Sequence, residues 1–199
     1  MKVITAFMLS VFMLSLPAFA ANVEVGKPAP DFTIKGFKNE TVTLSAMKGK
    51  LIVLEWFNPA CPFIRKFYSD KDMQALQAKY IAQGITWLTI TSTNPNHENY
   101  VTQEVADRVF NDMQLSSNHL LDDSAGLVGK LYGAKTTPHI FIIDTNGNIA
   151  YIGAADADSS PTANPKETKN YIAAALDEQL AGQSVSTPVT TAYGCSIKY

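Results

Sequence analysis

The stretch Leu51-Ile52-Val53-Leu54-Glu55-Trp56-Phe57-Asn58-Pro59-Ala60-Cys61-Pro62-Phe63-Ile64-Arg65 decides the reading of this chain. Its first seven residues are apolar except for Glu55, and they are rich in β-branched and aromatic side chains. Lys48-Gly49-Lys50 precedes them and Asn58-Pro59 follows. Such a bounded apolar run predicts a strand buried on both faces. Pro62 suits the first position of a helix, where a missing N–H is no loss. Cys61 therefore falls where a buried strand hands over to a helix. Unpaired backbone N–H groups and the positive end of the helix dipole favour an anion there. The thiolate is the reactive form of cysteine, and such surroundings lower its pKa from ~8.5 toward ~3.5–7.5. Arg65 and Lys66, one turn on, add positive potential. Glu55 interrupts the apolar run and is expected to be buried or to lie on an edge. A buried carboxyl resists ionisation and can accept protons near neutral pH, unless a lysine or backbone group pairs with it.

Outward from this stretch the chain alternates strands and helices. Phe32–Lys35 and Thr41–Leu44 predict a small N-terminal hairpin around Gly36 to Asn39. Phe63, Phe67, Leu76 and Tyr80 predict one helix from Pro62 to about Gln83, and Ile85–Thr91 a second buried strand. Asn94-Pro95 marks a helix start, with a capping side chain and proline behind it, and that helix is expected to run to about Met113. A short strand over His119–Leu121 and a helix over Ala125–Tyr132 follow. Ile140–Asp144 and Asn148–Ile152 flank Asn146-Gly147, a pair suited to a type I′ hairpin turn. Pro165–Leu180 predicts a last helix. The fold class is α/β: a mixed sheet with helices on both faces and an added N-terminal hairpin.

The termini carry further expectations. Lys2, the apolar run Val3–Leu16 and the small residues ending at Ala20 have the three parts of a cleavable signal peptide over residues 1–20. This predicts a periplasmic or secreted protein with no membrane attachment after cleavage. Residues 21–182 form the expected domain, and residues 183–199 a tail with no evident core role. A net charge of −2 with no basic cluster gives no case for nucleic acid. No flavin, nucleotide or haem motif occurs, so no cofactor is expected. The two cysteines, Cys61 and Cys195, permit one disulfide in an oxidising compartment. Closing so long a loop would stabilise by about 4–5 kcal/mol on the chain-entropy account. A purely structural bridge is thus one reading and a redox pair the other.

Several motifs together resemble the thioredoxin superfamily, and within it the exported, peroxiredoxin-like redoxin proteins of AhpC/TSA type. They are Gly26–Phe32 at the start, Glu55–Phe63, Tyr132–His139, Tyr151–Ala154 and Tyr193–Tyr199. The resemblance implies a thioredoxin-like fold and a thiol-redox activity with Cys61 as nucleophile; Cys195, in the tail, is placed to act as a resolving thiol or to form a permanent bridge. The resemblance also implies a cis bond before Pro138, with Thr137, Pro138, His139 and Trp56 on the substrate side and His139 near the sulfur. Its substrates would be a peroxide or a protein disulfide, and its electrons would come from an extracytoplasmic thiol reductant. The chain departs from two patterns of that superfamily. Ile64 replaces the second cysteine of C-x-x-C, and Asn58 and Leu54 stand where peroxiredoxins carry a hydroxyl residue and a proline. Asn58 is left as a hydrogen-bond donor toward a bound peroxide. Two other functions fit the same residues: a copper-handling protein using Cys61, Cys195 and His139 as soft ligands, and a non-catalytic module with a structural disulfide.

Overall fold

The computed structural model describes residues 23–199, and the expected signal segment lies outside the described residues. β1 (Thr33–Lys35) and β2 (Thr41–Thr43) form the N-terminal antiparallel hairpin. β3 (Ile52–Trp56) is buried at every residue, as an apolar run covered on both sides must be. After it come α1 (Pro62–Tyr68), α2 (Asp72–Ile81), β4 (Thr86–Thr91), α3 (Gln103–Asn111), β5 (His119–Asp122) and α4 (Leu127–Tyr132). The chain closes with β6 (Thr136–Thr137), β7 (His139–Ile143), β8 (Ile149–Gly153), α5 (Tyr171–Leu180) and β9 (Cys195–Ser196).

The central sheet has the order β5-β4-β3-β7-β8. β3, β4 and β5 run parallel, and β7 and β8 join antiparallel. Each face carries its own core. Val53, Phe57, Cys61, Ile140 and Ile142 lie with side chains of α1, α2, α3 and α5. Leu54, Trp56, Phe141 and Ile143 lie with α4 and the β1–β2 hairpin. The mixed sheet with helices on both faces is the expected α/β, thioredoxin-like fold.

Four local expectations are corrected. The helix expected from Pro62 to Gln83 is two helices, because Lys71 takes a left-handed φ of 64° between them. At the break the Tyr68 carbonyl accepts from Lys71 N at 3.3 Å and from Gln74 Nε2 at 3.0 Å. Asn94 caps a tight turn and no helix: its Oδ1 accepts from Asn96 N at 2.8 Å. α3 starts instead behind Thr102, whose hydroxyl accepts from Val105 N. The β7–β8 connection is a type I turn closed from Gly147 N to the Asp144 carbonyl, with a positive φ at Gly147 alone, so it is not type I′. The last helix begins at Tyr171 behind the Asn170 cap, and Pro165–Glu167 forms a separate 3₁₀ turn.

The tail is also more integrated than its composition suggests. Val189 runs beside Ile152 of β8, with Ile152 N donating to the Pro188 carbonyl and Thr190 N to the Ile152 carbonyl, both at 3.0 Å. β9 then pairs with β6, and Tyr199 Oη donates to the Ala134 carbonyl at 2.8 Å.

Candidate active site

Cys61 caps α1 from an extended backbone, φ −75° and ψ 125°, and is 3% exposed. The turn before it is built by Asn58. Its carbonyl accepts from Cys61 N at 3.0 Å and its Oδ1 from Ala60 N at 2.9 Å. Asn58 Nδ2 donates to Thr93 Oγ1 and to the Asn99 carbonyl, both at 2.8 Å. Both amide protons are thereby committed. Asn58 shapes the turn, and the expected donor toward a ligand at the sulfur is not available from it.

Cys61 is disulfide-bonded to Cys195, with Cα atoms 6.0 Å apart and 134 residues between them in sequence. That separation lies within the ordinary span of such bonds. β9 delivers Cys195 by antiparallel pairing with β6, Thr137 opposite Cys195. Cys61 Sγ lies 3.1 Å from the Thr137 carbonyl oxygen, close enough for a thiol to donate to it. The Thr137–Pro138 bond is cis. Gly194 permits this approach: its φ is +141°, and a Cβ there would collide with the Thr137 carbonyl. The tail thus occupies the strand edge beside the cysteine.

Glu55 is fully buried on the same sheet face as Cys61's core. Tyr68 Oη donates to its Oε1 at 2.8 Å, while Trp87 Nε1 and Gln77 Nε2 donate to Oε2 at 2.8 and 3.1 Å. Burial pushes the carboxyl up to about 7, and the three donors pull it back only in part. No hydrogen bond joins it to Cys61. The break between α1 and α2 is what lets Tyr68 and Gln77 converge on it.

A second buried polar cluster joins α1 to the C-terminal tail. Lys66 Nζ lies 2.9 Å from Asp156 Oδ2, and both side chains are fully buried. The ammonium also donates to the Asp158 carbonyl and to Tyr193 Oη, the latter at 3.1 Å. Tyr193 Oη donates in turn to Asp156 Oδ1, and burial with the neighbouring carboxylate holds the phenol well above its ordinary pKa. One signal for Lys66 was present, since Ile64, Phe67 and Tyr68 around it belong to the buried side of α1. Nothing local marks Asp156 as its partner.

His139 and Trp56 are placed away from the sulfur. The alternation of β7 puts the His139 ring against Phe141, centroids 4.6 Å apart, on the opposite face from Ile140 and Cys61. His139 Nδ1 accepts from Lys135 N at 3.2 Å, and burial lowers its pKa to about 4, so the ring is neutral. The expectation of His139 near the sulfur is therefore corrected, and the three soft ligands of the copper reading do not converge. Trp56 is fully buried on that same far face and donates to Ser92 Oγ at 3.0 Å. It offers a substrate no surface. Arg65 is exposed and reaches back to the Ala60 carbonyl at 3.3 Å. It lines a cleft with Pro62, Ser69, Asp70 and Lys166, and a second cleft by Pro59, Ala60, Tyr100 and Arg108 flanks the other side of the turn.

Solved structures match this architecture. An uncharacterized conserved protein from Geobacillus kaustophilus is 26% identical, with TM-score 0.78, covering 94% of this chain and 98% of its own. A hypothetical protein from Sinorhizobium meliloti 1021 is 24% identical, with TM-score 0.77, covering 90% and 96%. A candidate thiol:disulfide interchange protein DsbE from Chlorobium tepidum is 26% identical, with TM-score 0.53, covering 66% and 85%. No curated protein matches the chain in sequence. The AhpC/TSA family matches residues 25–152, which hold the hairpin, β3, Cys61 and the cis Thr137–Pro138 bond, and this chain belongs to that family.

Proposed function

We propose that the protein is an exported thiol-disulfide oxidoreductase in which Cys61 is the attacking thiolate and Cys195 the resolving thiol. The observation that carries this reading is the Cys61–Cys195 bond itself, made at the first turn of a helix and along the Thr136–Thr137 edge. In the dithiol form, the Cys61 thiolate attacks a substrate disulfide, bonds to one substrate sulfur and expels the other as a thiolate. Cys195, as its thiolate, then attacks the Cys61 sulfur, expels the remaining substrate thiolate and closes the internal disulfide. The two expelled thiolates take up the protons that the two cysteines gave up. An external dithiol reverses the sequence and restores the pair. The similarity to the Chlorobium tepidum protein supports this class of reaction. The signal-like N-terminus supports export to an oxidising compartment.

Membership of the AhpC/TSA family favours peroxide reduction as a second reading. There the Cys61 thiolate would attack one oxygen of hydrogen peroxide, breaking the O–O bond and releasing the other oxygen as water, and Cys195 would then displace the sulfenic oxygen as a second water while forming the same disulfide. One experiment separates the readings: mass spectrometry of the reduced protein with timed thiol trapping, against hydrogen peroxide and against a disulfide-bonded peptide. Rapid closure of Cys61–Cys195 by the peptide alone supports disulfide exchange, and closure through a Cys61 sulfenate supports the peroxidase. A disulfide that dithiols never open would leave only the structural role.

A further inference from the structure

We propose that Tyr193, seated on the buried Lys66–Asp156 pair, is the positioning residue that holds Cys195 beside Cys61 after their disulfide opens, and so sets the equilibrium between dithiol and disulfide. The inference rests on the redox reading above.

The geometry ties each cysteine to one buried cluster. Lys66 lies on α1, the helix that Cys61 caps, and its ammonium reaches both Asp156 and Tyr193 Oη. Tyr193 stands two residues before Cys195 and donates to the same carboxylate. Its ring packs edge-on against Phe63 of α1, centroids 5.8 Å apart, and lies 5.3 Å from the Lys66 ammonium. Among the described residues, this is the side-chain link between the two cysteine-bearing segments besides the S–S bond. Backbone pairing holds the other side of Cys195: β9 pairs with β6, Ile197 N donates to the Lys135 carbonyl at 3.0 Å and Asn94 N to the Lys198 carbonyl at 2.6 Å. Two further side-chain anchors of the tail, Thr190 against Tyr151 and Tyr199 against the Ala134 carbonyl, lie further along the chain from Cys195 than Tyr193 does.

Once the disulfide is reduced, the tail is free to leave only if Tyr193 withdraws its hydroxyl. That withdrawal strips a partner from a lysine and an aspartate whose side chains are wholly out of water. Leaving buried charges less satisfied is costly, so the cluster resists it. The Cys195 thiol consequently stays at a high effective concentration near Cys61.

The test equilibrates wild-type protein and Tyr193→Phe with glutathione buffers of graded thiol-to-disulfide ratio, then traps and counts free thiols. In this exchange the Cys61–Cys195 bond breaks, two glutathione thiols give up their hydrogens to the two cysteines, and one glutathione disulfide forms. The phenylalanine keeps the ring against Phe63 and removes only the hydroxyl. Its constant for closing the disulfide is expected to fall by about tenfold, the scale of one lost hydrogen bond to a charged group. Tyr199→Phe removes a hydroxyl from the same tail and is expected to leave the constant unchanged. Asp156→Asn, which keeps the shape and removes the charge, is expected to lower it as well. Equal constants in wild type and Tyr193→Phe overturn the proposal, and so does an equal fall in Tyr199→Phe. A wild-type disulfide that no glutathione ratio opens overturns the redox reading together with this one, whereas a pair that cycles identically in both proteins overturns this one alone.

Discussion

Glu55 and His139 lie on opposite faces of one sheet, and burial drives both toward their neutral forms. The consequences differ. Glu55 is raised to about 7, so it exchanges its proton near neutral pH, whereas His139 is lowered to about 4 and stays uncharged there. The face with Glu55 also holds Cys61, Tyr68 and Lys66, the groups able to form thiolate, carry charge or move a proton. On the other face the rings of Trp56, Tyr132, Phe141 and His139 pack against one another. The buried carboxylate there, Asp123, accepts from Val128 N and Gly129 N at the start of α4, a structural task. Chemistry is concentrated on one side and packing on the other, although the residues that create the contrast are neighbours in sequence.

Cys61→Ser should break this comparison most. Disulfide exchange, followed by thiol trapping with a peptide substrate, is expected to fall by at least about three orders of magnitude, the scale of losing a nucleophile. Cys195→Ser should instead accumulate a mixed disulfide at Cys61, visible as added mass. Next in size is Asp156→Ala, which leaves Lys66 buried without its counter-charge. Urea unfolding should show a loss of about 3–5 kcal/mol.

Glu55→Gln sharpens the contrast through pH. Below about 4.5 both the folded and the unfolded chain hold the Glu55 proton; between that value and about 7 only the folded chain does. Wild-type stability from Glu55 should therefore fall as pH rises through this window, by about 3 kcal/mol in total. The variant is expected to lose that slope in unfolding curves measured across the window, whatever its absolute stability. The smallest effect belongs to the far face. His139→Asn should leave exchange by Cys61 unchanged, although an amide in place of the buried ring costs about 1–3 kcal/mol of stability. A large loss of exchange in that variant would mean that the two faces are not separate in function.

Much of this was legible in the sequence. The buried strand, the cysteine at a helix start, the hairpins and the mixed sheet all follow from local patterns of apolar residues, prolines and turn residues. The same apolar run left Glu55 either buried or at an edge, and it is buried. The errors are instructive. The single helix from Pro62 fails because apolar spacing carries no record of a left-handed residue at Lys71. Asn94 and Thr102 are both good caps, and only packing selects the second. His139 was set beside the sulfur because its neighbour Pro138 is, yet in a strand adjacent side chains point to opposite faces. Asn58 was read as a free donor, and its amide protons are taken by residues far along the chain.

By itself, then, the sequence determined the order of strands and helices and that Cys61 meets the start of a helix, because periodicity, proline and capping act over a few residues. Only the tertiary structure decided that Cys195 closes onto Cys61, that Lys66 meets Asp156 and Tyr193, and which helices cover Glu55. Each of those depends on which distant segments the folded sheet brings together and on which face a side chain leaves it. Local propensity encodes a residue's conformation, while its partner is chosen by the packing of the whole chain.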